Sequence, residues 1–195
     1  MLAADITHMQ RSHFERYIHS RDLKHEFPGG LGFGFIRSVS PSAEANFLAN
    51  ARADGRPNFA IKTLTAHQKN RFIIQYIYPE KDNQGATGLD IGSETNRRNA
   101  ALAAARDVKS TLTAPITLAQ AEGNKGSGFL TLLPIYDPAL PLSTPEAREK
   151  ATLGWAYAPL VVDKVLADLG PVLREIFIVC RRLQPLTDCY HLSRR

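Results

Sequence analysis

Strand-like and helix-like stretches are interspersed along this chain without a regular βαβ rhythm, and that irregularity constrains the fold most. Arg71–Tyr78 (RFIIQYIY) is dense in aromatic and β-branched residues and reads as a strand; Phe59–Leu64 before it suggests a hairpin partner. Leu31–Val39, Thr111–Ala121, Phe129–Tyr136 and Thr152–Ala158 read as further strands, with Pro134 expected near a strand end. Between them, helical signals come at uneven intervals. Residues 4–26 form a polar helix with a narrow apolar stripe (Ile6, Met9, Phe14, Tyr17, Ile18, Leu23) that Pro28-Gly29-Gly30 ends. A second helix spans about 41–53, and Asp54-Gly55-Arg56-Pro57 turns the chain. A third is capped by Ser93 and runs to about Ser110, its Ala100–Ala105 segment small enough to admit a close neighbour. A short fourth covers Val161–Leu169, closed by Gly170-Pro171. The pattern favours an α+β fold over a doubly wound sheet.

Composition narrows the function classes. At 195 residues, 44% hydrophobic and 22% charged, the chain is large enough to bury a core and too apolar to be disordered. No apolar run approaches 18 residues, and the N-terminus lacks the apolar stretch of a signal peptide. The net charge of +5 hints at polyanions, but Pro171–Arg195 holds five arginines against Glu175 and Asp188. The body is therefore nearly neutral, and no nucleic-acid partner is expected. Cys180 and Cys189 both lie in the tail, a spacing that dictates neither a disulfide framework nor a zinc site.

Tests for chemistry return little. Gly30, Gly32 and Gly34 miss the dinucleotide pattern, which needs a third glycine where Phe35 stands and a helix after it; a strand entering a sheet is the better reading. The histidines (8, 13, 19, 25, 67, 191) lack the i, i+4 spacing of paired ligands on one helix, so no metal or other cofactor is expected. There is no Gly-x-Ser-x-Gly elbow, and the pairs Asp82/Asp90 and Glu146/Glu149 are spaced like turn and helix-surface residues. Arg97, Arg98 and Arg106 share a helix with Glu94 and Asp107, as a solvated charged face would, although one arginine is free to serve an anion. A binding module is favoured over an enzyme.

Five stretches in order then resemble one family. These are Phe27-Pro28-Gly29 with Gly32-Phe33-Gly34; Gly88-Leu89-Asp90-Ile91-Gly92-Ser93-Glu94 followed by Arg97-Arg98; Thr113-Ala114-Pro115-Ile116; Gly128–Tyr136; and Arg148 with Gly154-Trp155-Ala156-Tyr157-Ala158-Pro159. Together, over about residues 10–169, they resemble the CHASE domain, the extracytoplasmic sensory module of histidine kinases, nucleotide cyclases and diguanylate cyclases. The resemblance implies a long N-terminal helix (1–27) for signalling and homodimerisation, then a PAS-like antiparallel-sheet sensory region (28–170). It leaves 171–195 an unassigned basic tail, expected to be mobile or a truncated second PAS-like subdomain. It also implies a periplasmic setting, with membrane segments flanking this chain rather than within it.

By the same resemblance the module is not catalytic. It binds a small molecule and passes a conformational signal to a cytoplasmic kinase or cyclase. The pocket implied lies under Arg71–Tyr78, Thr113 and Phe129–Leu133, so Arg97, Thr113, Tyr76, Leu132 and Phe129 are the candidate ligand-binding residues. Cytokinin receptors of the family place an acceptor Asp where Arg97 stands, and a Thr where Leu132 stands. Arginine donates and cannot accept, so the expectation shifts from a cytokinin to a ligand carrying an anionic group. The alternative is a dimerisation relay with no pocket of its own.

Overall fold

The computed structural model describes residues 9–23, 30–118 and 127–161. Four helices and eight strands occur there: α1 (Arg11–His19), β1 (Phe33–Val39), α2 (Glu44–Ala53), β2 (Lys62–Thr63), β3 (Arg71–Tyr78), β4 (Leu89–Asp90), α3 (Thr95–Asp107), β5 (Thr111–Leu112), β6 (Ile116–Thr117), β7 (Ser127–Tyr136), α4 (Pro145–Ala151) and β8 (Thr152–Val161). The strands make one sheet in the order β2-β4-β3-β1-β8-β7-β5, with β6 also on β7. Its β3-β1-β8-β7-β5 portion is antiparallel throughout, while β2 and β4 run parallel. The α+β class holds; the all-antiparallel expectation gives way at that edge.

Both faces of the sheet carry helices. On one, α3 lays Ala100, Ala101, Ala104 and Ala105 against Leu130, Leu132, Trp155 and Tyr157, and all eight are buried. Alanine's single methyl allows that approach. The Trp155 indole Nε1 donates to the Ala101 carbonyl at 2.9 Å, and its ring lies 4.5 Å from Phe72. On the other face, α1 buries Phe14 and Ile18 on Phe35 and Tyr76, with Phe14 stacked on Tyr76 at 5.3 Å. A third cluster joins α2 to the sheet through Ala51, Val39, Phe59 and Ile73.

Four expectations are corrected. The first concerns the long N-terminal helix: α1 has nine residues and gives way to a turn at Ser20, whose hydroxyl donates to the Tyr17 carbonyl at 2.7 Å. Residues 1–8 and 24–29 lie outside the described part, as do 119–126 and the tail 162–195 with its proposed helix. The second concerns the hairpin of Phe59–Leu64 with Arg71–Tyr78. Only Lys62–Thr63 is strand, and it pairs with β4, which lies between it and β3. The physical reason is Asp90. This fully buried side chain accepts from Phe72 N and Gly92 N (both 2.9 Å) and meets His67 Nε2 at 2.8 Å, stitching β4 to β3. Thirdly, Thr111–Ala121 is broken at Pro115 into β5 and β6, since proline cannot donate to a ladder. Fourthly, the cap of α3 is Glu94, not Ser93; the Ser93 hydroxyl is occupied by the Asp90 carbonyl and by Leu64 N.

The glycine run is structural, as expected. A Cβ at Gly34 would lie 2.4 Å from Tyr157 Cε1 and from the Tyr76 carbonyl oxygen, so only a bare residue lets the tyrosine ring cross β1.

Candidate functional site

The first turn of α3 fixes the most unusual side chain in the molecule. The Glu94 carboxylate caps the helix by accepting from Asn96 N at 2.8 Å and Arg97 N at 3.0 Å. Arg97 is thereby set where its side chain runs into the protein, and the residue is only 6% exposed. Its Nη2 donates to the Thr117 carbonyl on β6 at 2.7 Å. Nε and Nη1 are buried and have no hydrogen-bond partner among the described residues, although the Glu94 carboxylate lies 3.9 Å from Nε. Burial pulls the guanidinium pKa down and Glu94 pulls it up; an arginine keeps its charge in a protein at neutral pH. A buried cation with two unsatisfied donors is a costly arrangement that a carboxylate or similar acceptor would relieve. The solvated surface arginine that helix patterning suggests is thus ruled out for Arg97. Arg98 and Arg106 behave differently: Arg98 donates to the Gly92 and Asn70 carbonyls and lies 4.7 Å over Phe72, whereas Arg106 pairs with Glu149 at the surface.

Thr113 and Leu132 lie on this same face. Thr113 is buried, and both its N–H and its Oγ1 engage Leu130, by donating to the carbonyl and accepting from N at 3.0 Å each. Its hydroxyl is therefore partly occupied holding β7. Leu132 is completely buried in the α3 cluster and pairs with Tyr157 across the β7–β8 ladder. Tyr157 belongs to the Gly154–Pro159 stretch of the family resemblance but not to the candidate ligand-binding residues. Its hydroxyl is buried without a hydrogen-bond partner among the described residues, and burial drives its pKa well up. Asn83, over Gly32 of the same bare stretch, donates from Nδ2 to the Pro79 and Leu31 carbonyls and leaves Oδ1 unpaired. No local pattern announces either residue; each depends on which glycine faces it across the fold.

Tyr76 and Phe129 lie elsewhere. Tyr76 belongs to the α1 cluster on the opposite face. Phe129, between the inward Gly128 and Leu130, points to that opposite face too and is half-buried. The five residues therefore do not form one pocket: Arg97, Thr113 and Leu132 share the α3 face, and Tyr76 and Phe129 share the other.

Among the described residues no group of three or more His, Cys, Asp or Glu side chains could hold a metal ion. No helix there is long and apolar enough to cross a membrane. The family model described as CHASE domain matches residues 7–179. No curated protein matches the sequence.

Proposed function

The chain belongs to the CHASE domain family, a family of sensory modules in receptors, and on that premise we propose that it senses a small molecule bearing an anionic group. The observation that carries this reading is Arg97, a buried guanidinium with two donor nitrogens that have no hydrogen-bond partner among the described residues. Natural proteins seldom leave buried polar atoms without partners, and a bound carboxylate or phosphate would satisfy both donors. The receptor would present this module on the extracytoplasmic, periplasmic side, and segments flanking it would carry the signal to a cytoplasmic kinase or cyclase. The antiparallel core β3-β1-β8-β7-β5 supports the PAS-like reading of residues 28–170.

In this scheme the ligand acts by binding one conformation of the β6–α3 junction better than another, and only that difference transmits. A homodimer would form through the outward side of the N-terminal helix, because Phe14 and Ile18 on its inner side are occupied by the sheet. The module performs no chemistry in this scheme. Calorimetric titration of the chain with mono-, di- and tricarboxylates and with inorganic phosphate tests it. Binding should fall at least tenfold in Arg97→Met. Equal binding in the variant, or no binding of any anion, would leave the ligand-free relay as the better account.

A further inference from the structure

An opening lies away from Arg97, which is not among its lining residues. A groove of about 1040 Å³ runs between the start of α1, the polar face of α2 and the ends of β1 and β3. A 390 Å³ cavity shares Ser38, Asn70, Lys150 and Thr152 with it, so the groove continues around the end of the sheet.

A bulge shapes the floor. Phe35 pairs with Tyr76 and Ile36 with Ile74, leaving Gln75 as the extra residue on β3. Gln75 is 9% exposed; its Oε1 accepts from Arg37 Nε at 3.2 Å and its Nε2 donates to the Tyr76 hydroxyl at 3.0 Å. Arg37 lies 4.9 Å over the Phe35 ring, which holds the guanidinium in place. One wall is α2, where Asn46 and Asn50, one turn apart, bring two exposed amides to the groove beside the half-buried Phe47 ring. The opposite wall brings Lys150, which makes no ion pair among the described residues. Asp54 is the one acid lining the groove itself, and it is engaged by Arg11 N at 2.9 Å and the Tyr76 hydroxyl at 2.6 Å. Glu146 and Glu149 line the adjoining cavity, where Glu149 pairs with Arg106.

We propose that this groove is a second ligand site, for a sugar acid of one or two rings. The class follows from the wall. Amides and hydroxyls both donate and accept, as sugar hydroxyls do. An apolar ligand would strip water from these groups without replacing it, and such a mismatch costs orders of magnitude in affinity. The exposed Lys150, in a lining whose own carboxylate is already engaged, favours an acid over a neutral sugar, and Phe47 gives the ring's C–H face an apolar contact. The site does not depend on Arg97 and stands or falls separately from the anion reading above. It also touches the helix anchor, since the Tyr76 hydroxyl and Asp54 meet the Met9 carbonyl and Arg11 N at the head of α1.

The test is calorimetric titration of the chain with D-glucuronate, digalacturonate and D-glucose, with Asn46→Leu/Asn50→Leu, Lys150→Met and Arg97→Met as variants. Asn46, Asn50 and Lys150 are exposed, so the melting temperature should hold and serve as the folding control. The expected result is saturable binding of at least one acid, at least tenfold weaker binding of glucose, a tenfold or larger loss in both groove variants, and no change in Arg97→Met. Absence of saturable binding by both acids, or binding indifferent to both groove variants, would overturn the proposal. Glucose bound as tightly as the acids would overturn the assignment of class.

Discussion

The two faces of the sheet each bury one large tyrosine, and the two hydroxyls are treated in opposite ways. Tyr76, under α1, has Asp54 Oδ2 at 2.6 Å, the Met9 carbonyl at 3.0 Å and the Gln75 amide at 3.0 Å. Tyr157, under α3, has no hydrogen-bond partner among the described residues. The α1 face is held by specific polar contacts at its periphery: Arg11 and Arg56 both pair with Glu80, and Asp54 caps Arg11 from 43 residues away. Gln10 contributes no side-chain cap, so the start of α1 depends on that distant carboxylate. The α3 face is held by apolar contact, alanine against tryptophan and leucine, and tolerates unsatisfied polar atoms within it. Buried polar atoms without a hydrogen-bond partner among the described residues occur on both sides, at Arg97 and Tyr157 under α3 and at His13 Nδ1 and Arg56 Nε near α1. It is on the α1 side that polar groups surround the open groove. Under α3, apolar packing offsets the cost of the polar atoms left unpaired there.

The comparison can be broken at several points. Trp155→Ala should have the largest effect, about 4 kcal/mol of lost stability by urea denaturation, because it opens the α3 core and strips the Ala101 carbonyl of its donor. A loss below about 1 kcal/mol would mean that α3 is not what the apolar face rests on. Asp54→Ala comes next, at roughly 2 kcal/mol, since it removes the cap of Arg11 and the acceptor of Tyr76. Amide exchange should quicken at Arg11–Phe14 while Ala100–Ala105 remains protected; uniform quickening would deny the two faces their separate character.

The tyrosines sharpen the contrast. Tyr76→Phe should cost roughly 1 kcal/mol, and Tyr157→Phe should be neutral or stabilising, because only the first loses hydrogen bonds. Both phenols have pKa values raised by burial, and Tyr76 is pushed further by Asp54. A phenol whose folded pKa is raised contributes in full below its unfolded value, near 10, and the contribution drains away as pH rises from there. Denaturation scans from pH 9 to 12 should therefore show falling stability, with a shallower fall in each Phe variant. The smallest change lies at the end of α3, where Val108 adopts φ 55° with its side chain half exposed. A β-branched residue is strained there, so Val108→Asn should raise stability by about 0.5–1 kcal/mol; a loss would show that its side chain packs more than its exposure suggests.

Much of this architecture was legible locally. The aromatic and β-branched run Arg71–Tyr78, the alanines of α3 and the long strand ending in Tyr136 each declare their state within a few residues. What escaped was set by distant partners. A two-residue strand at Leu89–Asp90 has no periodicity to read, and only the buried Asp90 carboxylate, accepting from β3, explains why it displaces the expected hairpin. The roles of Ser93 and Glu94 were exchanged for a similar reason: Ser93 is claimed by Leu64 N from 29 residues away. Of the site, Arg97 came from a resemblance and a count of positions, and its burial could not be read from a helix that looks amply charged. Tyr157 and the Gln75 bulge appear only once strands are paired.

The central claim is that Arg97 keeps two buried donor nitrogens unpaired because it meets an anion. Thermal melting of the wild-type chain and of Arg97→Met, each with and without the carboxylate and phosphate panel, tests it directly. Arg97→Met removes the cost of two unpaired donor nitrogens but also the bond to the Thr117 carbonyl and the attraction of Glu94, so the ligand-free variant should stay within about 1 kcal/mol of wild type. At least one anion should raise the wild-type melting temperature and leave that of the variant unmoved. A variant that melts well below wild type, together with anions that shift both proteins equally or neither, would show that Arg97 is a structural residue and contradict the account.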